Sequence, residues 1–168
     1  MVNEGDPDAF EALYRRYRDW VYRLAWRFTG NQQDALDVLQ ETFTYLLGKF
    51  PGFSLTASMT TFLYPVVKHL SIAARSKSLR FTSDEEILNE ITVPVSKETQ
   101  NSRSELAAVL TVLPDEQREV LLMRFVDNMT LQEIAKALNI PIGTVKSRLH
   151  HALKTLRHDR RTQDYFLE

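Results

Sequence analysis

Residues 130–158 read TLQEIAKALNIPIGTVKSRLHHALKTLRH, and this stretch opens on the strongest local signal in the chain. Thr130 and Glu133 stand at capping-box spacing: the threonine hydroxyl accepts from the amide three residues on, and the carboxylate reaches back to the threonine amide. A helix therefore begins there, turns Ile134, Ala135 and Leu138 inward, and stops at Asn139. After Ile140-Pro141 a second helix starts around Gly143-Thr144, with Val145, Leu149, Ala152 and Leu156 inward. Short helix, tight turn and longer basic helix make a helix-turn-helix.

On the second of these helices the spacing puts Thr144, Ser147, Arg148, His151 and Thr155 on one outward stripe, with Lys146, His150 and Arg157 on the adjacent flank. Such a stripe suits a DNA major groove. Short hydroxyls allow close approach and Arg148 can fork onto guanine. Lys146, Lys154 and Arg157 can neutralise phosphates, which position a protein without reading sequence. The plain alternative is a surface helix of an ordinary bundle, and the capping box and turn argue against it. His150 and His151 lie about 100° apart on a helix and lack a third ligand nearby, so no metal site is expected.

Charge is segregated outward from this stretch. The net charge of the 168 residues is -1, from 21 basic and 22 acidic side chains. Residues 53–81 carry four basic and no acidic side chains, residues 82–119 three and nine, and residues 130–161 seven and two. Two basic blocks flanking an acidic one suggest two contacts with a polyanion, joined by a segment that the polyanion repels.

Towards the N-terminus apolar residues recur at three-and-four spacing, and no strand pattern competes. Asp6 with Pro7 opens a first helix, Phe10, Leu13, Tyr14, Tyr17, Val21, Leu24 and Phe28 form its buried stripe, and Gly30 closes it. Asn31 caps a second helix, whose Ala35, Val38, Leu39, Thr42, Phe43, Leu46, Leu47 and Phe50 keep the period until Gly48 and Pro51-Gly52 end it. A third starts near Ser58 with Met59, Phe62, Leu63, Val66, Val67, Leu70, Ala73 and Ala74 inward. Pro65 inside it is expected to kink it or force a restart, at about 3 kcal/mol if unaccommodated.

The fold class is therefore all-α, with two small helical domains at 1–81 and 105–161, a flexible linker at 82–104 where periodicity fails, and a tail at 162–168. Composition excludes other classes. At 43% apolar and 26% charged the chain is neither collagenous nor a disordered tail, and without cysteine it has no disulfide, thiolate nucleophile or cysteine-bound zinc. No nucleophile–base pair, metal cluster or phosphate loop is legible, so neither an enzyme nor a cofactor is expected. The longest apolar stretches fall short of the roughly 18 residues that span a bilayer, and MVNEGDPDAF is no signal peptide, so a cytoplasmic protein without membrane insertion is expected.

These residues carry a resemblance. LPDEQREVLLMRFVDNMTLQEIAKALNIPIGTVKSRLHHALKTLR resembles region 4 of bacterial sigma factors of the extracytoplasmic-function (ECF) group, with EIA and then GTVKSRL as its most specific run. DPDAFEALYRRYRDWVYRLAWRFTGNQQDALDVLQETF and then FLYPVVKHLSIAARS are similar to region 2 of the same group. The resemblance implies a dissociable subunit with core RNA polymerase and promoter DNA as partners, region 2 reading and melting the minus-10 element and region 4 holding the minus-35 element. An anti-sigma factor is a further partner it admits. The family usually has some residues before the stretch matching Asp6, so an abbreviated first helix or a trimmed chain is expected.

The resemblance also implies where the surfaces lie. Asp34, Asp37, Gln40 and Glu41 match the positions that dock on the coiled coil of the polymerase largest subunit, although Leu36 replaces an acid common there. Tyr64, Lys68, Ser71 and Arg75 share a face by spacing, with Lys77, Arg80 and Phe81 following, and rings with cations suit unpaired bases and phosphates. The resemblance places Tyr64, Lys68, His69, Arg75 and Lys77 along the minus-10 strand and a flipped base in the loop from Phe53 to Ser58, whereas Phe62 and Tyr64 read equally well as core. Phe62 stands where Trp is usual, Pro65 where Arg is common and His69 where Asn is common. In the second half His151 and Leu153 stand where many members carry Arg, and Pro141 where a small capping residue is frequent. The resemblance implies Thr144, Lys146, Ser147, Arg148, His151, Lys154 and Arg157 as the minus-35 surface.

Two functions of different class follow: an initiation factor, or a sigma-like interaction protein that occupies an anti-sigma factor without directing transcription. The acidic stripe together with Lys146, Ser147 and Arg148 favours the first, because a decoy needs no groove-reading helix. Since residues 82–104 combine weak periodicity with like charge, limited proteolysis of the free protein is expected to cut there first and leave two helical fragments, whereas uniform resistance would mean that the halves pack together.

Overall fold

The computed structural model of the chain describes residues 6–82 and 109–162, and among these residues it holds helices and no strand. The chain divides into two compact units, residues 1–91 and 92–168. The first contains α1 (Pro7–Thr29), α2 (Gln32–Leu47) and α3 (Met59–Thr82); the second contains α4 (Asp115–Phe125), α5 (Leu131–Leu138) and α6 (Ile142–His158). Thr82, read from the sequence as the first linker residue, is the last residue of α3; the rest of the expected linker lies outside the described residues.

Local chemistry sets the helix ends of the first unit. The Asp6 carboxylate accepts from the amides of Asp8 and Ala9 at 3.0 and 3.4 Å, and Pro7 follows where its missing N–H costs nothing. Gly30 takes a left-handed φ of 76° and donates its amide to the Trp26 carbonyl at 2.9 Å. One residue later Asn31 Oδ1 accepts from the Asp34 amide at 2.8 Å and opens α2. Before α3, the Ser58 hydroxyl accepts from the Thr61 amide at 3.3 Å.

The three helices pack pairwise around Val21, Leu24 and Ala25 of α1, Ala35, Val38, Phe43 and Leu46 of α2, and Leu63, Tyr64 and Val67 of α3. Buried Thr29 and Thr42 satisfy their hydroxyls within their own helices, donating to the carbonyls of Ala25 at 3.0 Å and Val38 at 2.7 Å. A run of ring contacts ties the loop after α2 into this core: Tyr14 on Phe43, Phe43 on Phe10, Phe10 on Phe50, Phe50 on Phe53, and Phe53 on Phe62.

α3 corrects three expectations. It continues through Pro65 with no restart, and Pro65 stands on the exposed side, where its ring displaces no core side chain. Tyr64, placed by spacing on a nucleic-acid face, retains 1% of its exposure and meets Phe28 edge-on at 6.3 Å. Ser71, on the same expected face, is fully buried and its hydroxyl has no hydrogen-bond partner among the described residues. The outward stripe of α3 instead carries Pro65, His69, Ile72, Arg75 and Leu79. In α2, Leu47 keeps the apolar period yet is 53% exposed, because it lies at the last residue of the helix.

In the second unit α4, α5 and α6 pack around Val120, Met123, Met129, Ile134, Ala137 and Val145. Ala152 and Leu156 of α6 join Val109, Leu113 and Leu121 in a second apolar cluster. Arg118 of α4 holds the turn before its own helix, donating to the carbonyls of Leu110 and Leu113 at 2.8 Å each. The capping box is present, with Glu133 N on the Thr130 hydroxyl at 3.2 Å and Thr130 N on the Glu133 carboxylate at 2.8 Å. Asn139 takes a left-handed φ of 53° and ends α5, and α6 starts immediately after Pro141.

α6 ends in a short polar turn. The Thr162 hydroxyl donates to the Leu156 carbonyl and, at 2.9 Å, to that of Asp159, and Arg161 closes on the Asp159 carboxylate at 2.8 Å. Thr162, read from the sequence as tail, is therefore buried and belongs to the unit. Hydrogen bonds from the Arg161 side chain and backbone hold the Asp159 carboxyl at about 2, below its ordinary 3.8.

If Tyr64 is core, Tyr64→Ala should cost about 3–5 kcal/mol in denaturant unfolding, as for other large buried rings. Ser71→Ala should raise stability by about 1 kcal/mol, because it removes a buried hydroxyl without a partner; a loss instead would mean that the hydroxyl is bonded in solution. For the turn, the lowered Asp159 value makes its contribution present above the unfolded value of 3.8 and lost as pH falls towards 2. Arg161→Ala should raise the Asp159 midpoint, followed by carboxyl NMR, part of the way towards 3.8, because the backbone amide at 161 still donates to the carboxylate.

Candidate nucleic-acid and protein interfaces

In the first unit α2 is polar along its outer side, and its neighbours divide that side into two grooves. Asp34, Asp37, Val38 and Glu41 line one together with Leu70, Ala73, Ala74, Lys77 and Ser78 of α3. Leu36, Leu39, Gln40, Thr44 and Leu47 line the other with Phe10 and Tyr14 of α1. The four residues that the sequence assigned to one docking stripe thus part: Asp34, Asp37 and Glu41 face α3, while Gln40 faces α1.

Asp34 is already engaged. Its carboxylate accepts from the Asn31 side-chain amide at 2.7 Å and from the Ser78 hydroxyl at 2.8 Å, so it ties the start of α2 to the far end of α3. Asp37 is exposed, with the Gln33 amide 3.4 Å away, and Glu41 is exposed as well. Lys77, grouped by sequence with the minus-10 residues, lines the same groove as these acids, while Leu36 sits on the opposite rim, 42% exposed.

Along α3 the basic side chains outside the core are His69, Arg75, Lys77 and Arg80, all exposed, and Lys68, half-buried. Exposed Ile72 and Leu79 interleave with them, and nothing in the sequence marked either as part of a surface. Within the loop expected to hold a flipped base, Phe53 is packed between Phe50 and Phe62, and Ser58 is bonded to Thr61 at 2.7 Å. Ser54, Leu55 and Thr56 are the exposed part. Phe62 is half-buried and stacks on Tyr45 at 6.4 Å.

In the second unit the outward stripe of α6 consists of Gly143, Lys146, Ser147, His150, His151, Lys154, Arg157 and His158. Lys146, Ser147, His151, Lys154 and Arg157 thus stand at the surface as the spacing required, and His150 joins them. Thr144 and Thr155 are half-buried at its edge. Arg148 departs from the expectation. It leans from the stripe towards α4, where its Nη2 lies 2.6 Å from Glu116 Oε2. Nothing in the sequence marked Glu116, because the pair joins helices far apart in the chain and no short-range spacing encodes it. α6 itself contains no acid.

No group of three or more His, Cys, Asp or Glu side chains that could hold a metal ion occurs among the described residues. Among them, too, no helix is long and apolar enough to cross a membrane. The two surfaces are built for contact: an acid-bearing groove wall on α2, and a helix with cations, imidazoles and a hydroxyl along one side.

Comparison with known families matches residues 13–81 to Sigma-70 region 2 and residues 109–158 to Sigma-70, region 4. The chain is 32% identical to the ECF RNA polymerase sigma factor SigW of Bacillus subtilis (strain 168), over 94% of this chain and 91% of that protein. It is 31% identical to an RNA polymerase sigma-E factor of Streptomyces avermitilis, over 95% of this chain and 89% of the relative. Among solved structures its fold is similar to the sigma factor RpoE of Bartonella quintana, crystallised with the anti-sigma factor NepR, with a TM-score of 0.69 at 17% identity over 89% of this chain and 94% of that one. It is also similar to CnrH in complex with the cytosolic domain of CnrY, with a TM-score of 0.64 at 20% identity over 91% and 88% of the two chains. With both regions matched in order and relatives above 30% identity covered almost end to end, the chain belongs to the ECF group of sigma-70 family RNA polymerase sigma factors, which bind core RNA polymerase and direct promoter-specific transcription initiation.

Proposed function

We propose that this sigma factor divides its contacts between chemically opposite surfaces. Asp37 and Glu41, with Gln40 on the next groove, dock on core polymerase, and the outward side of α6 holds the minus-35 duplex. The observation that carries this division is the charge along the two helices: α2 exposes acids and has no base, whereas α6 exposes cations and has no acid. A duplex repels the first and attracts the second.

Within α6, Lys146, Lys154 and Arg157 track phosphates. Ser147 and His151 lie closest to base edges, with Thr144 at the first turn of the helix and Arg148 beside them. In the first unit His69, Arg75 and Arg80, interleaved with Ile72 and Leu79, follow the minus-10 strand; Lys68 lies at the margin, and Tyr64 acts from the core by holding α3 on α1. Lys77 lines the acidic groove and therefore sits where a polymerase contact and a strand contact meet. The protein performs no chemistry of its own, needs no cofactor, and works in the cytoplasm where polymerase and promoter are.

An anti-sigma factor is a further partner on this reading. The structural relative RpoE was solved with the anti-sigma factor NepR, which supports the same mode of control here. A protein that only occupied such an inhibitor would need no acid-free basic helix, and this favours the initiation factor.

In-vitro transcription with core polymerase on a promoter library is expected to give run-off products at a shared motif; core binding without products would favour the decoy. Reversing Asp37 and Glu41 to Lys should weaken core binding and leave the affinity for minus-35 duplex unchanged. Lys146→Ala should do the opposite. It should weaken all duplexes alike and lower the slope of log affinity against log salt by about one. If Lys146→Ala left duplex binding untouched and impaired a protein contact, α6 would be a protein interface.

A further inference from the structure

Among the cations of α6, Arg148 is held by an acid from another helix. Its side chain retains 23% of its exposure, and its guanidinium meets Glu116 in the first turn of α4, which remains 70% exposed. Lys146 and Lys154, by contrast, form no ion pair among the described residues. Arg148 lies at the border of the buried row Val145 and Ala152 and directly beside exposed Ser147 and His151. A ligand seated on the outward stripe is therefore within a side-chain rotation of the guanidinium, and Glu116 competes with it.

We infer that Glu116 is a positioning residue that attenuates duplex binding by holding Arg148, an inference that rests on the reading of α6 as the DNA-facing helix. An exposed carboxylate holds an arginine by no more than about a fivefold preference. A lone phosphate is an acceptor of similar strength, so exchanging Glu116 for a phosphate gains little. A base edge with two acceptors in one plane suits the planar guanidinium better and draws Arg148 across. Glu116 thus lowers affinity for every duplex that draws Arg148 across, and most for the one that engages it best, because that duplex must break the pair in full.

The test uses the full-length chain and two short duplexes, one selected by the wild-type chain from a pool randomised at its centre and one with the same bases shuffled. Affinity is read by fluorescence anisotropy between about 50 and 200 mM salt. Glu116→Gln keeps the shape of the side chain and removes its charge. It is expected to bind the shuffled duplex about two- to fivefold more tightly, to steepen that duplex's salt slope by up to about one, and to tighten the selected duplex by at least as much, because there too Arg148 no longer has to leave an acid. On an Arg148→Met background, which keeps the stem and removes the guanidinium, Glu116→Gln is expected to add nothing. A gain that persists without Arg148 would show that Glu116 merely repels phosphates, and a gain on the shuffled duplex alone would show that the selected duplex does not take Arg148 from Glu116; either result overturns the inference, as does no change. Circular dichroism melting of each variant separates these outcomes from lost folding, which an exposed Glu116 does not threaten. If the wild-type chain selected no duplex, the reading of α6 itself would fall, a result distinct from a wild type that selects and a Glu116→Gln variant that matches it.

Discussion

The azimuth of α6 is set by how closely it lies on the turn ahead of α4. Ala152 is fully buried against Val109, Leu113 and Leu121, a contact that a larger residue at this position would hold apart. With Val145 on one side and Leu156 on the other, three anchors fix the rotation of the helix about its axis. Every statement about what α6 offers a duplex follows from that rotation. Ser147 and His151 are carried outward, Thr144 and Thr155 fall to the edge, and Arg148 turns towards α4, where an acid meets it. The turn in turn depends on Arg118, whose guanidinium donates to the Leu113 carbonyl and joins the Leu113 amide on the Leu110 carbonyl.

A comparable constraint acts in the first unit, where α2 is packed on both α1 and α3. Its buried row, Ala35, Val38, Thr42, Phe43 and Leu46, leaves two rims, one acidic and one apolar. Asp34 illustrates how the same residue type does different things on one helix. Bonded to Asn31 and Ser78, it serves the fold, whereas Asp37, one turn on, remains exposed for a partner. Removing Asp34 would therefore disturb the α2–α3 seam as well as any docking, and a loss of polymerase binding at that position would say little about contact.

What could be read from the sequence was local. Asp6, Gly30, Asn31 and the Thr130–Glu133 box act through backbone groups within four residues, so their spacing alone carries the physics. What escaped needed a second helix. Residues 64, 68, 71 and 75 share a helical face, but which face turns inward is decided by α1 and α2, and the burial arc of α3 is wide enough to take in both Tyr64 and Ser71. A buried serine and a buried tyrosine look, in sequence, like a polar surface row. Glu116 and Arg148 belong to different helices, and Thr162 caps carbonyls six residues back through a turn that no short motif announces. The family resemblance supplied the order of surfaces from individual motifs, yet it could not say that Asp34 and Arg148 already have partners.

The modest charge of α6 bears on how the two units share the work. With Lys146, Lys154 and Arg157 as phosphate contacts, about 0.9 counterions released per contact give a salt slope of about -2.7, far shallower than that of a protein holding duplex DNA unaided through roughly 6–10 contacts. Histidines at 150 and 151 add ring nitrogens that can hydrogen-bond along the same side. Such a helix alone binds weakly at physiological salt. Weak binding is the appropriate design for a dissociable subunit: if α6 held promoters firmly on its own, the free protein would occupy them without polymerase and block the start sites it is meant to open. Affinity must then come from joining several weak contacts on one assembly, since each added contact becomes intramolecular once the first is made. On the proposed division of contacts the acids of α2 serve that end, because they favour the polymerase over the duplex and so make arrival with the enzyme the productive order of events.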